Sequence, residues 1–513
     1  MRVRLAALLL LASLAPPALA QGPRVEPAWI DTLATSRPGL SPEQRHLWFD
    51  TAGYALAWRE PVEQELRLPG LDTVPELACR ECEPRKKRFW LAFGELMAVQ
   101  AIPSAVNNIA RDAEWARISW KSWETNVKYP WQWDNNNFVN NQFSHPYHGN
   151  LYFNAARANG YNFWASAPWA FGGSLMWELF GEVWAPAPND FLNTSLGGIA
   201  IGETLWRVSS LTLDNTSSGV ERVAREFAAT LLNPVRGFTR AIDGHMFARA
   251  ANPPEWRPST TFGSIELGWR NISVGNISGG DNQASPYIQA ALSYGDPTQD
   301  ADKAPFSTFN VSTVFAFEPA PGQRRFQELF IRGNLEAWKL VENNWSSRIV
   351  ALMTYEYVSN VAIEFGGQGF QGAFVTRRAP ERGPIIQFDA AAVFNPIIAI
   401  ESDYFVTLEG RDYDYGIGLG TQLRSMVAWR GRALLSALAG YRYMPTVSGF
   451  PGDHQFVRLL LDGRYYLKGR FGLGATYQQF WRWANYRDLP DTDQTSTEVR
   501  LFVSTAIPKW ESY

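Results

Sequence analysis

Alternation with a period of two is clearest near the C-terminal end, in the segment Val457-Arg458-Leu459-Leu460-Leu461-Asp462-Gly463-Arg464-Tyr465-Tyr466-Leu467-Lys468. Apolar or small side chains fill the odd-numbered positions, and charged ones occur only at even-numbered positions. Because successive side chains of a β-strand point to opposite faces, the segment predicts a strand with one apolar face and one charged face. Such a strand fits a membrane barrel, which turns its apolar face to lipid and its polar face to the lumen.

Similar alternation recurs from about Thr261 to the C-terminus. In a second example, apolar residues at odd-numbered positions alternate with polar ones at even-numbered positions: Leu329, Ile331, Leu335 and Ala337 with Arg332, Asn334 and Glu336. The candidate strands, including a short one over 405–412, are separated by turns rich in Gly, Pro and Asn. Their lengths suit tilted transmembrane strands, which need about 9–11 residues. A soluble β-sandwich is the alternative. We predict an antiparallel transmembrane barrel of about twelve strands over 261–513.

The N-terminus predicts export from the cytoplasm. Arg2 and Arg4 precede an apolar run from Leu5 to Leu14, and Ala18-Leu19-Ala20 resembles a small-residue cleavage site. The run is too short to span a bilayer, so residues 1–20 are predicted to be a signal peptide. With the strand pattern, this export signal predicts the outer membrane of a Gram-negative cell.

Composition narrows the function classes. The net charge of −3 gives no electrostatic reason for binding nucleic acid. The 22 Trp and 19 Tyr suit a membrane interface, and the negative mean hydropathy argues against a helical-bundle membrane protein. Two cysteines occur, Cys79 and Cys82. Because no thioredoxin-like strand and helix surround them, a local disulfide or an unused pair is expected in an oxidising periplasm.

The chain upstream of the barrel divides into two parts, so the predicted fold class is α+β. Residues 21–85 form a loosely structured extension, and residues 86–250 form a helical domain. Within that domain, helices are predicted over 89–109, with a break or kink at Pro103, and over 191–213. A further helix, Ser218–Leu232, is amphipathic, with Val220 and Val223 on its apolar face.

Residues able to carry chemistry gather mainly between 130 and 215. The catalytic candidates are His145, His148, Glu178, Glu182 and Glu203, and the ligand-binding candidates are Asp190, Arg157 and Arg236. Histidine and carboxylates on adjacent helices suit general acid–base chemistry or a divalent metal. Their spacing matches no established zinc motif, and nothing in the sequence indicates a cofactor.

The same residues also have a structural interpretation. Buried polar groups often tie helices together, and Glu203 with Arg207 is then a surface ion pair. Pro146 predicts that His145 lies in extended chain rather than on a helix. Glu178 and Glu182 are spaced to share one helix face.

The block from Asn135 to Asp243 resembles the DUF3943 family, a bacterial family of unknown function. The resemblance is carried by Asn141-Gln142-Phe143-Ser144-His145-Pro146-Tyr147-His148-Gly149, Ala155-Ala156-Arg157, Gly160, Gly173-Ser174, Trp177-Glu178, Gly181-Glu182, Asn189-Asp190, Gly197-Gly198, Gly202-Glu203 and Asn233-Pro234-Val235-Arg236-Gly237. It covers about a fifth of the chain. It implies an exported protein of Gram-negative bacteria with strand-rich sequence after the domain, and it supplies no reaction.

Two function classes follow. In the first, the helical domain plugs the barrel lumen or packs at its periplasmic mouth, and the barrel has a structural, transport or ligand-binding role. In the second, the protein is an outer-membrane enzyme that uses the His and Glu candidates on a lipid or envelope substrate. The expected partners are outer-membrane lipid and a small or lipidic ligand.

Overall fold

The computed structural model describes residues 77–82, 86–275, 282–317, 325–380, 382–429, 432–468 and 470–507. The predicted signal peptide and nearly all of the predicted extension lie outside these residues. Cys79 and Cys82 form a disulfide, as expected.

The C-terminal half is a closed barrel of twelve antiparallel strands in which each strand pairs with its neighbours in sequence and β1 pairs with β12. The strands are β1 Thr261–Val274, β2 Asn282–Tyr294, β3 Phe309–Ala316, β4 Phe326–Glu342, β5 Ser346–Asn360, β6 Ile363–Arg378, β7 Ile385–Glu401, β8 Tyr413–Trp429, β9 Ala433–Ser448, β10 Gly452–Lys468, β11 Phe471–Tyr486 and β12 Thr492–Ile507. The predicted barrel is confirmed. The candidate strand over 405–412 is wrong, because that segment lies in the loop between β7 and β8, where Gly410 makes an isolated bridge to Asn136.

Alternation along each strand separates a charged lumen from an apolar outer face. Arg442 on β9 donates to Glu356 on β5 over 3.2 Å, and Arg500 on β12 bonds Glu328 on β4. Each pair joins strands four positions apart in the barrel, so its side chains meet inside the lumen. Leu501, next to Arg500, points the other way and is 62% exposed. This is the arrangement that membrane barrels require.

The chain before the barrel is helical. The helices are α1 Phe89–Arg111, α2 Trp120–Lys128, α3 His145–Ala158, α4 Phe163–Met176, α5 Pro188–Leu192, α6 Gly198–Thr212, α7 Gly219–Leu232 and α8 Pro234–Ile242. Short π-helical turns precede α3 (Asn140–Ser144), follow α4 (Trp177–Gly181) and precede α6 (Asn193–Gly197). Pro103 lies inside the single helix α1.

Two local predictions in this part are wrong. His145 begins α3 instead of lying in extended chain, because Pro146 falls in the first turn, where a missing backbone N–H removes no helical hydrogen bond. Glu178 and Glu182 do not share a helix face, because the π-helical turn ends at Gly181 and Glu182 is extended.

The helical block packs against the outer face of the barrel wall. The Tyr355 hydroxyl donates to the Gln142 carbonyl, and the Gln142 amide donates to the Tyr415 hydroxyl over 3.1 Å. Tyr355 lies between Thr354 and Glu356 in sequence, and these two side chains line the lumen. The prediction that the block plugs the lumen or packs at the periplasmic mouth is therefore wrong: its contacts are made on the opposite face of the strands.

The block covers an apolar patch on the outer face of the barrel wall. On strands that the block does not cover, the same outer face is apolar and exposed. The buried outward side chains beneath it are Ile331, Met353, Tyr355, Tyr357, Ile397, Ala399, Tyr413 and Tyr415, and they form one cluster with Phe138, Phe153 and Ile199 of the block. On β12, by contrast, Leu501 and Val503 stay exposed. One side of the barrel thus has a protein neighbour, and the other presents an open apolar face.

A β-bulge in β7 helps to build this patch. The pairing with β8 shifts between Asn395 and Ile398, and Pro396 lies at the bulge, where it disrupts no regular ladder bond. The extra residue reverses which positions face outward. As a result Ile397 packs against the helical block, whereas Ile398 packs in the lumen.

Candidate functional site

Four of the predicted site residues lie together where α3 and α5 meet the π-helical turn Trp177–Gly181: His145, Glu178, Glu182 and Asp190. The His145 Nε2 atom lies 3.8 Å from Asp190 Oδ1, and its Nδ1 atom lies 3.5 Å from the Thr194 hydroxyl. The buried Glu178 accepts a 2.8 Å bond from the backbone N–H of Ala187 through Oε2. Its Oε1 has no hydrogen-bond partner within the described part of the chain. This group has the components of an acid–base pair.

The surroundings of these residues include charged groups, because Asp134 lies close enough to His145 and Arg411 close enough to Asp190 to interact electrostatically. Asn189 donates to Asp190 Oδ1 over 2.8 Å and accepts from the backbone N–H of Asp134 over 2.9 Å. Among the described residues, no group of three or more His, Cys, Asp or Glu side chains has an arrangement that could hold a metal ion. The catalytic role of His145 and Glu178 stays a prediction.

Glu203 belongs to a separate ion-pair triad. It is fully buried and bonds Arg157 through both carboxylate oxygens, at 2.8 and 3.1 Å, and Arg207 at 2.9 Å. Arg207 also donates to the carbonyl of Pro305, in the loop between β2 and β3. The expected surface pair of Glu203 and Arg207 is therefore buried, and it links the helical block to the barrel.

The other candidates also bind neighbouring protein groups. His148 contacts the Val99 carbonyl at 3.3 Å, between α3 and α1. Arg236 donates to the Ser209 and Ser210 hydroxyls over 2.7 Å and lies over the Trp206 ring. These contacts tie helices together.

Sequence reasoning missed the partners that the barrel contributes. Tyr413 accepts from Asn141 over 2.8 Å, and Tyr415 accepts from Asn189 and Asn193 over 3.4 Å. Both tyrosines occupy outward positions of β8. A period-two pattern marks such positions as apolar-facing, but it does not show that a helical block covers them.

A second candidate site lies on the other side of the wall, in the lumen. It is a cavity of about 430 Å³, and its lining includes six arginines and three acidic residues. The charged lining residues are Arg332, Glu356, Arg377, Asp389, Arg424, Arg442, Arg458, Asp462 and Arg464. Positive charge therefore exceeds negative charge around the cavity.

Two of these arginines form no ion pair with any residue that the structure describes. Arg332 pairs with Asp389 at 3.0 Å, and Arg442 pairs with Glu356. Arg458 bonds the Gln478 amide oxygen and lies over the Phe330 ring. In the described part of the chain, neither Arg424 nor Arg458 has a carboxylate within ion-pair distance. Carboxylates lie near both guanidinium groups, such as Asp389 near Arg424 and Glu328 near Arg458, but at longer range than an ion pair.

An apolar layer bounds this charged region. The Phe365 ring on β6 stacks on Phe456 of β10 with 5.0 Å between centroids, and Phe456 stacks on Phe480 at 5.8 Å. Val358 and Met444 pack in the same layer. Because β6 and β10 are four strands apart, the side chains meet across the lumen and narrow it.

The architecture defines an outer-membrane β-barrel protein, with a closed barrel, an apolar outer face and a charged lumen. Within it, residues 130–235 match the family described as a domain of unknown function (DUF3943). The resemblance inferred from the sequence is confirmed. The comparison with curated proteins returned no significant match.

Solved structures similar to this chain include outer-membrane porins and an outer-membrane channel. The NanC porin is 10% identical with a TM-score of 0.26, covering 47% of this chain and 98% of its own. An outer membrane channel from Pseudomonas putida is 10% identical with a TM-score of 0.27, covering 48% and 94%. An anion-selective porin from Comamonas acidovorans is 8% identical with a TM-score of 0.20, covering 48% and 99%. No functional inference follows from similarities this low.

Proposed function

We propose that the barrel binds a small organic anion in its lumen, as a ligand-binding or transport protein of the outer membrane. The observation that carries this proposal is the excess of guanidinium groups around the lumen cavity, where Arg424 and Arg458 form no ion pair with any carboxylate that the structure describes. Arg424 and Arg458 are only partly exposed, and a guanidinium without an ion-pair partner is unfavourable in a confined lumen. A bound carboxylate or phosphate adds negative charge and accepts several N–H bonds at once.

The cavity also has an apolar portion. Its lining includes Phe262, Ile385, Ala428 and Leu434, in addition to the charged residues. A volume of about 430 Å³ falls within the usual range for small-molecule sites. These features favour an anion with an apolar part over a bare inorganic ion. The Phe365–Phe456–Phe480 layer favours holding the ligand over free diffusion through an open pore.

Replacing Arg424 by Gln tests the proposal. The purified wild-type protein is expected to unfold at a higher temperature in the presence of small aromatic carboxylates, because a ligand that binds the folded state stabilises it. Neutral amides of the same shape are expected to have no effect. A charge-assisted hydrogen bond contributes about 1.5–3 kcal/mol, so Arg424→Gln should weaken carboxylate binding roughly tenfold or more. Thermal unfolding at constant ionic strength, titrated with each compound, measures this.

Arg487→Gln provides the matched control, because Arg487 is exposed in the loop between β11 and β12. This variant should bind the carboxylates as the wild type does. The proposal fails if no carboxylate, phosphate or sulfonate in the series shifts the wild-type transition. It also fails if Arg424→Gln retains wild-type affinity.

A further inference from the structure

Helix α7 is amphipathic in the reverse sense to a helix of a water-soluble protein. Two of its charged side chains, Arg222 and Glu226, are buried and form an ion pair at 2.9 Å, whereas Glu221 and Arg225 form a partly exposed pair. Three of its large apolar side chains point away from the protein: Val220 is 86% exposed, Val223 68% and Phe227 61%, while Leu232 at its end is buried. A helix at a water interface places these two faces the other way round.

The following helix, α8, repeats the reversal. Arg240 is buried and pairs with Glu226 of α7 at 2.7 Å, while Phe238 and Ile242 are exposed. The two helices therefore share a charged internal contact and present one apolar outer surface. Soluble monomers rarely expose apolar patches that continue over several elements, so this surface indicates a non-aqueous neighbour.

Helix α1 extends the same surface over a greater length. It has 23 residues, which correspond to about 34 Å at 1.5 Å per residue, close to the hydrocarbon thickness of a bilayer. By length and composition it is able to cross a membrane. Trp90 near its start is 79% exposed and Ile109 near its end is 84% exposed. Its buried face, with Leu96 and Gln100, packs onto the rest of the block.

The position of the block on the barrel also indicates a non-aqueous neighbour for this surface. It rests on outward-facing side chains of the barrel wall, such as Met353 and Tyr355, which belong to the face that other strands leave open. Outward side chains that the block does not cover, such as Phe394 on β7 and Leu419 on β8, remain exposed. The apolar surface of the block thus continues the apolar belt of the barrel.

We infer that the outer surface of the helical block, formed by α1, α7 and α8, contacts the hydrocarbon of the outer membrane. The block is embedded in the bilayer beside the barrel, and the buried Arg222–Glu226–Arg240 ion pairs are shielded from lipid by the apolar side chains around them. This inference is independent of the lumen ligand. It assigns the neighbour of the block's outer surface. That neighbour is lipid hydrocarbon, rather than water or residues 21–76 of the protein.

Spin labels in proteoliposomes distinguish these three neighbours. Single cysteines are introduced at Val223 and Ile109 in the full chain, where Cys79 and Cys82 are already paired and do not react. Leu501→Cys provides the lipid-facing reference, and Asp488→Cys, in the loop between β11 and β12, provides the aqueous reference. Heat-modifiable migration on gels shows that each variant is folded. The quantities measured are the collision rates of the label with oxygen and with a polar nickel chelate.

We expect the oxygen-to-nickel accessibility ratio at Val223→Cys and Ile109→Cys to match that at Leu501→Cys, several-fold above that at Asp488→Cys. A ratio equal to the loop value would show that the surface is in water and would overturn the inference. Low accessibility to both reagents would show that protein covers the surface, as residues 21–76 would, and would overturn it equally.

Discussion

Replacing Glu203 by Ala is expected to lower the free energy of unfolding of the helical block by about 3–5 kcal/mol, the cost of breaking a buried ion pair. The carboxylate is fully buried and bonds both Arg157 and Arg207. Removing it leaves two guanidinium groups without a counter-ion in a largely dry interior. Because Arg207 also bonds the Pro305 carbonyl, the attachment of the block to the barrel should weaken as well.

Urea unfolding of the protein in nanodiscs measures this loss of stability. Limited proteolysis of the helical block at each urea concentration reports how much of the block is unfolded. The Glu203→Gln variant should lose nearly as much stability, because glutamine keeps the shape of the side chain but not its negative charge. The control is Glu124→Ala, which removes an exposed pair with Lys128 on α2 and should change stability by no more than about 1 kcal/mol. Equal unfolding midpoints for Glu203→Ala and Glu124→Ala would show that the triad does not hold the block together.

Replacing Gly149 by Ala is expected to separate α3 from α6. A Cβ atom at Gly149 would overlap the Thr194 carbonyl oxygen and lie 3.1 Å from the Gly198 Cα atom. Both neighbours are backbone atoms, so no side-chain rotation relieves the clash and the helices must move apart. Overpacking costs about 1–3 kcal/mol and occasionally more, and a backbone contact this short places Gly149→Ala at the upper end.

Gly172→Ala on α4 provides a control of opposite sign. No atom lies within 4 Å of a Cβ added there, so the substitution should stabilise the helix by up to about 1 kcal/mol, the usual gain from Gly to Ala. The helical signal in circular dichroism, followed through thermal unfolding, compares the two variants. A Gly149→Ala protein as stable as the Gly172→Ala protein would mean that the α3–α6 contact is looser than described.

Much of the barrel is predictable from sequence because strand periodicity is a local property. The alternation of Leu459 and Leu461 with Arg458 and Asp462 specifies two faces whether or not the barrel is closed. The convergence of Arg424, Arg442 and Glu356 on one cavity is not local, since it depends on strands that meet only after closure. Sequence shows that these side chains are polar, but not which of them lack a partner.

The position of the helical block was mispredicted for a related reason. An apolar helix face, such as that of Val220 and Val223, gives the same pattern whether it packs on protein or faces lipid. Outward positions of the barrel, such as Tyr355 and Leu501, are likewise apolar in both cases. Burial distinguishes them, and burial is a property of the assembled structure. The DUF3943 motifs identified the block correctly but contain no information on which face of the wall it contacts.

The most direct test of this placement uses two adjacent glycines of β6. A Cβ atom at Gly366 points outward to within 2.9 Å of Gln142 Cγ, and one at Gly367 points into the lumen toward Asn395. Disulfides form when Cβ atoms are about 3.5–4.5 Å apart. Oxidation of the protein carrying Gln142→Cys and Gly366→Cys should give a reduction-sensitive mobility shift, whereas Gln142→Cys with Gly367→Cys should give none. A cross-link at Gly367, and not at Gly366, would place the block inside the barrel and contradict the structure described.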